Sequence, residues 1–204
     1  MGMTRTERPR VTGLVLAAGG SRRLGQPKQL LPYRGRTLLD HTLDTARACG
    51  FTQLLCAVGG SARDVLDQVD LHGLEVVANP AYGSGCSSSI AAALHAVDPR
   101  SDALVLLLGD QPGVRPQTVA ALLAGRGDAA LAVCRYDDGR GHPFAFGRDA
   151  FGELAQMHGD KAVWKLLERH ATDVVEVPIA GPVPIDVDTW EDYEAVLAAE
   201  TARA

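Results

Sequence analysis

Short apolar runs alternate with helix-like segments along almost the whole of this chain. The strand-like runs lie at 11–17, 51–59, 74–79, 102–110, 128–136, 142–147 and 173–179. Segments with apolar residues at helical spacing lie between them, at 37–50, 61–69, 87–97, 115–125, 149–170 (two pieces separated near Gly159) and 189–200. Such alternation favours a parallel sheet with helices on both of its faces. We therefore predict a doubly wound, three-layer α/β domain with a mostly parallel sheet.

The length of the chain indicates a single domain. Its 204 residues are enough for one sizeable core and few for two complete domains. The run "DALVLLLGD" is nearly all apolar, which is typical of a central strand covered on both faces. The first ten residues, "MGMTRTERPR", are polar and basic and lack the apolar segment of a secretory signal. We predict a flexible tail at 1–10 and one domain at 11–204.

Composition and charge exclude several classes of partner. A net charge of −5 argues against a nucleic-acid-binding protein with a broad basic surface. The longest apolar run is far too short to span a membrane. Four cysteines without CxxC spacing are unlike a zinc site or a disulfide framework and are typical of reduced thiols in the cytoplasm. We predict a cytoplasmic protein with neither nucleic acid nor membrane as a partner.

The stretch "LVLAAGGSRRLGQPKQLL" at 14–31 carries positive charge against the overall sign of the chain. Its glycines allow backbone N–H groups to approach a ligand, and Arg22, Arg23 and Lys28 add cations, a combination suited to a polyphosphate. The stretch has Gly-Gln-Pro where a Walker A loop needs Gly-Lys-Ser or Gly-Lys-Thr, and it lacks G-x-G-x-x-G. It therefore predicts neither a P-loop ATPase nor a Rossmann dehydrogenase. A glycine turn with merely solvated cations is the structural alternative.

Three aspartates in two later segments are candidate metal ligands. Asp110 ends the apolar run of "LLLGDQP", at the edge where ligands of α/β sheets bind. Asp186 and Asp188 alternate in "PIDVDTW", so on an extended backbone they point to the same side. Magnesium takes oxygen ligands, usually one or two carboxylates with water and phosphate. An aspartate that simply caps a turn is the alternative for Asp110.

The opening stretch resembles the signature of nucleotidyltransferases with the GT-A-like fold, "LAAGGSRRLG" followed by "QPKQLL". The match is closest to the molybdenum-cofactor nucleotidyltransferases (MobA-like), especially their cytidylyltransferase branch. Four further segments fit in the same order, "NPAYGSGCSSSIAAAL", "LLLGDQP", "GRGHPFAF" and "PIDVDTWEDY". The resemblance therefore covers essentially the whole chain and implies a GT-A-like domain.

The resemblance assigns roles to particular residues. It implies that the nucleotide is bound by two loops, with these residues: Leu16, Ala17, Ala18, Gly19, Gly20, Asn79, Gly85, Cys86 and Ser87. Arg22 would contact the phosphates and Lys28 would neutralise charge near the α-phosphate. Asp110 and Asp188 would be the ligands of Mg²⁺, although the division of roles between Asp186 and Asp188 stays open. Lys28, Arg22 and Asp110 would form the catalytic set.

The resemblance also implies that the segment "RYDDGRGHPFAF" binds the acceptor, the molecule that receives the nucleotidyl group. Arg140 and His142 would meet an anionic pterin phosphate, and Asp186 is a further candidate. A histidine beside proline is, in general, more often structural. The segment "MHGDKAVWKLL" keeps only the first half of the relatives' "GDKGAR", and this departure leaves the identity of the acceptor open.

We predict an enzyme that transfers CMP from CTP to the phosphate of molybdopterin and releases pyrophosphate. Ala18 resembles the CTP-using branch, whereas GTP-using relatives more often have glycine there. Guanylyl transfer to molybdopterin, or nucleotidyl transfer to a sugar or alditol phosphate, are the alternatives within enzymes. A non-enzymatic alternative is a protein that binds the cofactor and delivers it to a molybdoenzyme.

Overall fold

The computed structural model describes residues 9–21 and 23–201 of the chain. Its strands are β1 (Val11–Ala17), β2 (Pro32–Tyr33), β3 (Arg36–Thr37), β4 (Gln53–Val58), β5 (Glu75–Ala78), β6 (Ala103–Leu108), β7 (Leu131–Arg135), β8 (Arg140–Gly147) and β9 (Val174–Pro178). Its helices are α1 (Leu38–Ala48), α2 (Ala62–Gln68), α3 (Cys86–Leu94), α4 (Pro116–Arg126), α5 (Phe151–Ala155), α6 (Ala162–Arg169) and α7 (Trp190–Thr201).

The main sheet has seven strands in the order β5-β4-β1-β6-β8-β7-β9. β1 lies between β4 and β6 and is parallel to both, β5 is parallel to β4, and β9 is parallel to β7. β8 runs antiparallel to β6 and β7. The predicted mostly parallel α/β fold is therefore confirmed. The two-residue strands β2 and β3 form a separate hairpin that the sequence did not predict, because strands this short show no alternation.

Helices cover both faces of the sheet, because the side chains of the central strands alternate between two apolar clusters. Val15 and Leu107 belong to the cluster that includes Leu43 of α1, as well as residues of α2 and α4. Their neighbours Leu14 and Leu106 belong to the opposite cluster, with residues of α3, α5 and α6. The apolar run at 102–110 is the source of β6, which is buried on both sides as predicted.

Two capping boxes set where α1 and α7 begin. In α1 the Thr37 hydroxyl accepts a hydrogen bond from the Asp40 N–H at 3.0 Å, and the Asp40 carboxylate accepts one from the Thr37 N–H at 3.2 Å. Thr189 and Asp192 make the same reciprocal pair at the start of α7, at 3.2 and 2.8 Å. Such caps typically contribute about 1 kcal/mol each to stability. The capping box of α7 also fixes Asp188, the residue before Thr189, because the Asp188 N–H donates to the Asp192 carboxylate at 3.1 Å.

The carboxyl ends of β1, β4 and β6 meet at one edge of the sheet because these strands are parallel. The loops that follow them carry the polar and glycine-rich motifs of the sequence. Most of the predicted tail at 1–10 lies outside the described residues, and the Arg10 N–H donates to Asp102 at 2.8 Å. Within the described ranges, no helix has the length and apolar character needed to cross a membrane.

Candidate active site

The loop after β1 is fixed by two polar side chains that follow it. Gln29 is buried, and its Nε2 donates to the carbonyl oxygens of Ala17 at 2.8 Å and Gly19 at 3.1 Å. The Ser21 hydroxyl accepts a hydrogen bond from the Lys28 N–H at 2.9 Å. The loop is thus tied back onto the short 3-10 turn at Lys28–Leu30. Arg22, predicted to contact phosphates, lies outside the described residues.

Lys28 forms ion pairs with both predicted metal ligands, Asp110 and Asp188. Its Nζ forms an ion pair with Asp110 Oδ2 and lies 2.7 Å from Asp188 Oδ1. The guanidinium of Arg23 donates to Asp188 Oδ2 at 2.7 Å. The side chains of Lys28 and Asp110 are only 11% and 15% exposed, whereas Asp188 is 43% exposed. Three distant segments of the chain therefore bring cations and carboxylates together at the carboxyl edge of the sheet.

The opposite charges of this cluster stabilise the ionised forms of its side chains. Burial alone would lower the pKa of Lys28, but the carboxylates of Asp110 and Asp188 outweigh it and the pKa is raised. Burial would likewise raise the pKa of Asp188, but Lys28 and Arg23 outweigh it and the pKa is lowered. Lys28 and Asp188 therefore both carry their charges at neutral pH.

Gln111 holds the segment that carries Asp186 and Asp188 beside the end of β6. Its buried side chain donates through Nε2 to Asp186 Oδ1 at 2.6 Å and to the Pro184 carbonyl at 2.7 Å. The Val187 N–H donates to the Asp110 carbonyl at 3.1 Å. Asp186 is exposed as a whole residue, but its carboxyl group is partly buried. This burial and the charges of Asp110 and Asp188 raise its pKa to about 6.

The raised pKa of Asp186 predicts a pH-dependent gain in stability for the Asp186→Asn variant without added metal. The folded pKa of about 6 lies above the ordinary value of 3.8. The charged carboxylate therefore opposes folding above pH 6, and this penalty disappears as the pH falls towards 4. Allowing for solvent screening at an exposed residue, we expect a gain of about 1 kcal/mol at pH 7.5 and none at pH 4. Chemical denaturation at both pH values in EDTA measures it, and an equal gain at both would contradict the assignment.

Asp110 and Asp188 fit a divalent cation. Asp110 Oδ1 is buried and has no hydrogen-bond partner within the described structure, although buried carboxylate oxygens normally have one. A divalent ion such as Mg²⁺ binds to oxygen atoms of this kind. In the part of the chain that the structure describes, no group of three or more His, Cys, Asp and Glu side chains is arranged as a metal site. An ion here would therefore depend on two carboxylates together with substrate phosphate and water.

A cleft of about 440 Å³ extends from this cluster along the first loop. It is lined by Leu16, Ala18, Gly19, Gly20, Ser21, Arg23, Lys28, Gln29, Tyr82, Gly83, Gly85, Cys86, Ser89, Leu108, Gly109, Asp110, Asp160 and Asp188. The lining thus includes four of the five residues predicted in the first loop, two of the four predicted in the second, and both predicted metal ligands. Ala17, which was also predicted to bind the nucleotide, does not line the cleft: it is buried, and its carbonyl oxygen accepts a hydrogen bond from Gln29.

Asn79 and Ser87 are buried and lie outside the cleft lining, and Asn79 supports the second loop. The Asn79 amide donates to the hydroxyls of Ser88 at 2.8 Å and Ser89 at 2.9 Å, and its Oδ1 accepts from the Ala81 N–H at 3.0 Å. These bonds connect the end of β5 to the first turn of α3. A contribution of Asn79 to base binding would therefore act through the shape of this loop.

The residues predicted for the acceptor lie outside the cleft lining. Arg140 donates through Nε to Glu176 at 2.7 Å, across the outer strands of the sheet. The His142 ring packs against Phe144, with centroids 4.0 Å apart, and meets the edge of Trp164 at 6.4 Å. Burial of the ring lowers its pKa to about 3, so His142 is neutral at physiological pH. An acceptor contact through Arg140 or His142 stays a prediction, and His142 would make it without a positive charge.

Several residues of the cleft were given no specific role by the sequence. Arg23 was predicted only as one of three cations of the opening stretch, and the structure pairs it with Asp188. Asp160 had no assigned role, although the partial "GDK" match pointed towards it. Its Oδ1 accepts a hydrogen bond from the Cys86 N–H at 3.1 Å. Tyr82 and Gln29 had no signal in the sequence, because only the fold brings them to the first loop.

Exposed glycines, two cations and two carboxylates at the edge of a parallel sheet are typical of nucleotide-binding transferases. The model of the MobA-like NTP transferase domain matches residues 13–174 of the chain. This protein belongs to that family of nucleotidyltransferases.

Solved structures of similar proteins extend over nearly the whole chain. A homologue of Mycobacterium tuberculosis Rv0371c from Mycobacterium sp. strain JC1 is 52% identical, with a TM-score of 0.92 over 97% of this chain and 100% of that one. Rv0371c of M. tuberculosis H37Rv, in complex with manganese, is 46% identical, with a TM-score of 0.84 over 93% and 99%. A divalent metal is therefore bound by a homologue of this protein.

Curated relatives have diverse names. Nicotine blue oxidoreductase of Paenarthrobacter nicotinovorans is 36% identical over 146 residues, which are 68% of this chain and 71% of that protein. Bifunctional GlmU proteins are longer, and this chain spans 27% to 39% of their length. Similarity thus defines the family and does not define the substrate.

Proposed function

We propose that this protein is a Mg²⁺-dependent nucleotidyltransferase that transfers CMP from CTP to the terminal phosphate of molybdopterin and releases pyrophosphate. The observation that carries the proposal is the meeting of Lys28 with Asp110 and Asp188 in the cleft lined by the first glycine loop. Membership of the MobA-like family supports nucleotidyl transfer, and the manganese complex of Rv0371c supports a divalent ion.

The residues of the cleft account for the binding of a triphosphate. The backbone of Gly19 and Gly20 is exposed and free of side chains, so its N–H groups are accessible to phosphate oxygens. Lys28 and Arg23 add positive charge at the end of the loop. Asp110 and Asp188 would hold the Mg²⁺, which when bound neutralises charge on the transferred phosphoryl group and the leaving pyrophosphate.

In the reaction, an oxygen of the acceptor phosphate forms a bond to the α-phosphorus of CTP, and the bond from that phosphorus to the pyrophosphate oxygen breaks. A phosphate monoester is already a nucleophile at neutral pH, so the chain needs no general base. The protein then contributes alignment and charge neutralisation, to which Lys28 adds a buried ammonium group. Gln29 and Ser21 contribute by holding the loop in a fixed shape.

Ala18 supports CTP rather than GTP. It lines the cleft and is buried, so its methyl group narrows the space available to a base. A tenfold preference requires only about 1.4 kcal/mol, which one methyl contact can supply. The segments "GRGHPFAF" and "PIDVDTWEDY" support molybdopterin as acceptor, through their resemblance to the molybdenum-cofactor enzymes. A molybdoenzyme would then receive the product.

The test is an assay of pyrophosphate release with Mg²⁺, each of the four NTPs in turn, and molybdopterin. We expect release with CTP, loss of it in EDTA, and recovery with added Mg²⁺ or Mn²⁺. Sugar phosphates and alditol phosphates replace molybdopterin in parallel reactions.

Each result assigns the function differently. Pyrophosphate release with GTP alone would indicate guanylyl transfer. Pyrophosphate release with a sugar phosphate would indicate that the acceptor is a sugar phosphate and not molybdopterin. Binding of molybdopterin without metal-dependent pyrophosphate release would indicate a delivery protein. Any of these outcomes overturns cytidylyl transfer to molybdopterin.

A further inference from the structure

Tyr82 is an exposed aromatic side chain in the wall of the cleft, with no role in the mechanism above. It is 39% exposed, which is unusual for a large ring that lines a concave site beside buried strands. It begins the short 3-10 turn at Tyr82–Ser84, between β5 and α3. Aromatic faces that stay open to solvent in a nucleotide cleft are suited to stacking with a planar base.

Glycines on two other loops make room for this ring. A Cβ atom at Gly60 would lie 2.9 Å from Tyr82 Cε2 and 3.0 Å from Cζ, closer than real contacts allow. A Cβ at Gly59 would lie 2.6 Å from Tyr82 Cβ, and one at Gly20 would lie 3.7 Å from Cε2. The ring therefore packs against the backbone of Gly59 and Gly60 after β4. Its edge lies close to Gly20 in the proposed phosphate-binding loop after β1. Any side chain at Gly60 would displace it.

The backbone that carries Tyr82 is fixed at its other end. A Cβ at Gly85 would lie 2.8 Å from Asp160 Oδ1, so this end of the turn is packed against the loop before α6. The Ser88 hydroxyl lies 3.1 Å from the carbonyl oxygen of Ala81 and 2.8 Å from that of Gly85, and its one hydrogen is shared between these two acceptors. With both ends held, the backbone that carries the ring is fixed before any ligand binds, which lowers the entropic cost of stacking.

We propose that Tyr82 is the stacking surface for the nucleobase of the NTP, positioned by Gly59 and Gly60. This inference rests on the proposed function, since it assumes that the cleft binds an NTP. Every base has a π-face, so the ring adds affinity for any base and selects none. Base selection is left to Ala18 and to the polar groups of the second loop. Tyr82 thus contributes to nucleoside binding and has no part in binding the phosphates.

The test compares ligands with and without a base. Isothermal titration calorimetry with Mg²⁺ measures CTP, GTP and inorganic tripolyphosphate binding to wild type, Tyr82→Ala and Tyr82→Phe. We expect Tyr82→Ala to weaken each NTP that the wild type binds by roughly tenfold to a hundredfold. Its affinity for tripolyphosphate should stay within about twofold, and Tyr82→Phe should match the wild type because the ring face is kept.

Gly60→Ala tests the positioning independently, because it adds one methyl group behind the ring. The clashing atoms are the far end of a rotatable side chain, so the ring should turn away while the fold is kept. We expect a loss of NTP affinity that approaches that of Tyr82→Ala. The double variant should be no weaker than Tyr82→Ala alone, since both changes remove the same contact. Gly152→Ala is the matched control, because its Cβ would meet open space, and its NTP affinity should equal that of the wild type.

Two results would overturn the inference while leaving the proposed function in place. One is a Tyr82→Ala variant that binds NTPs as tightly as the wild type. The other is an equal loss for tripolyphosphate, which would make Tyr82 a support of the phosphate loop. A wild-type protein that binds no NTP at all would overturn both the proposed function and this inference.

Discussion

The Asp110→Asn variant is expected to lose about a thousandfold or more in kcat/KM for pyrophosphate release and to keep its fold. Asparagine has nearly the same shape but no charge, so the paired oxygens offered to a divalent ion are reduced to those of Asp188. Metal-assisted charge stabilisation is worth several kcal/mol, and about 4 kcal/mol corresponds to a thousandfold. Steady-state kinetics with Mg²⁺ measures the loss, and circular dichroism measures the fold.

Asp67→Asn is the matched control for that change. Asp67 is an exposed residue of α2, away from the cleft lining, so its loss should leave kcat/KM within about twofold. Asp110→Asn with near-normal turnover would remove Asp110 from the metal site. Loss of the circular dichroism signal in Asp110→Asn would instead assign it a mainly structural role.

The Lys28→Met variant is expected to lose about a hundredfold in kcat and to be less stable without metal. Methionine keeps the apolar stem but removes the ammonium group that pairs with Asp110 and Asp188. Removing one partner of a largely buried pair leaves an uncompensated carboxylate, and we expect a cost of about 2 kcal/mol at pH 7.5. Urea denaturation in EDTA measures this cost.

Added Mg²⁺ or Mn²⁺ should stabilise Lys28→Met more than the wild type, because the ion then meets carboxylates that no ammonium group neutralises. Lys165→Met, at an exposed position of α6, serves as the control and should behave as the wild type in both assays. Equal stability of Lys28→Met and wild type in EDTA would show that the ion pair does not contribute to the fold.

The sequence predicted the fold in most of its parts because the central strands carry unbroken apolar runs. Elements such as β1 and β6 were placed by composition alone, and the parallel sheet followed from the alternation with helices. The direction of β8 was not predictable, since a strand between β6 and β7 has the same apolar pattern in either orientation. The β2–β3 hairpin is too short to carry a periodic signal.

For the site, the sequence indicated residues whose charge is unusual for their place in the chain. Asp110 follows the apolar run of β6 and Gly109, Lys28 lies in the cationic stretch after β1, and the fold brings both to Asp188. Prediction was poorer where a residue acts through tertiary contacts. Gln29 is an ordinary glutamine in sequence, and only the folded loop gives its amide two carbonyl partners. His142 packs on Phe144, two residues along the same strand, but only the folded chain brings Trp164 to it.

Lys28 and Arg23 together balance the charges of the two carboxylates of this centre, Asp110 and Asp188. Small proteins that use metal-binding residues as their core often unfold when the metal is removed. In this protein the ammonium group of Lys28 pairs with both carboxylates, so under the proposed metal assignment we expect the fold to persist when the ion is removed. If Asp110 and Asp188 hold the ion, chelation should stop the reaction reversibly without unfolding the chain.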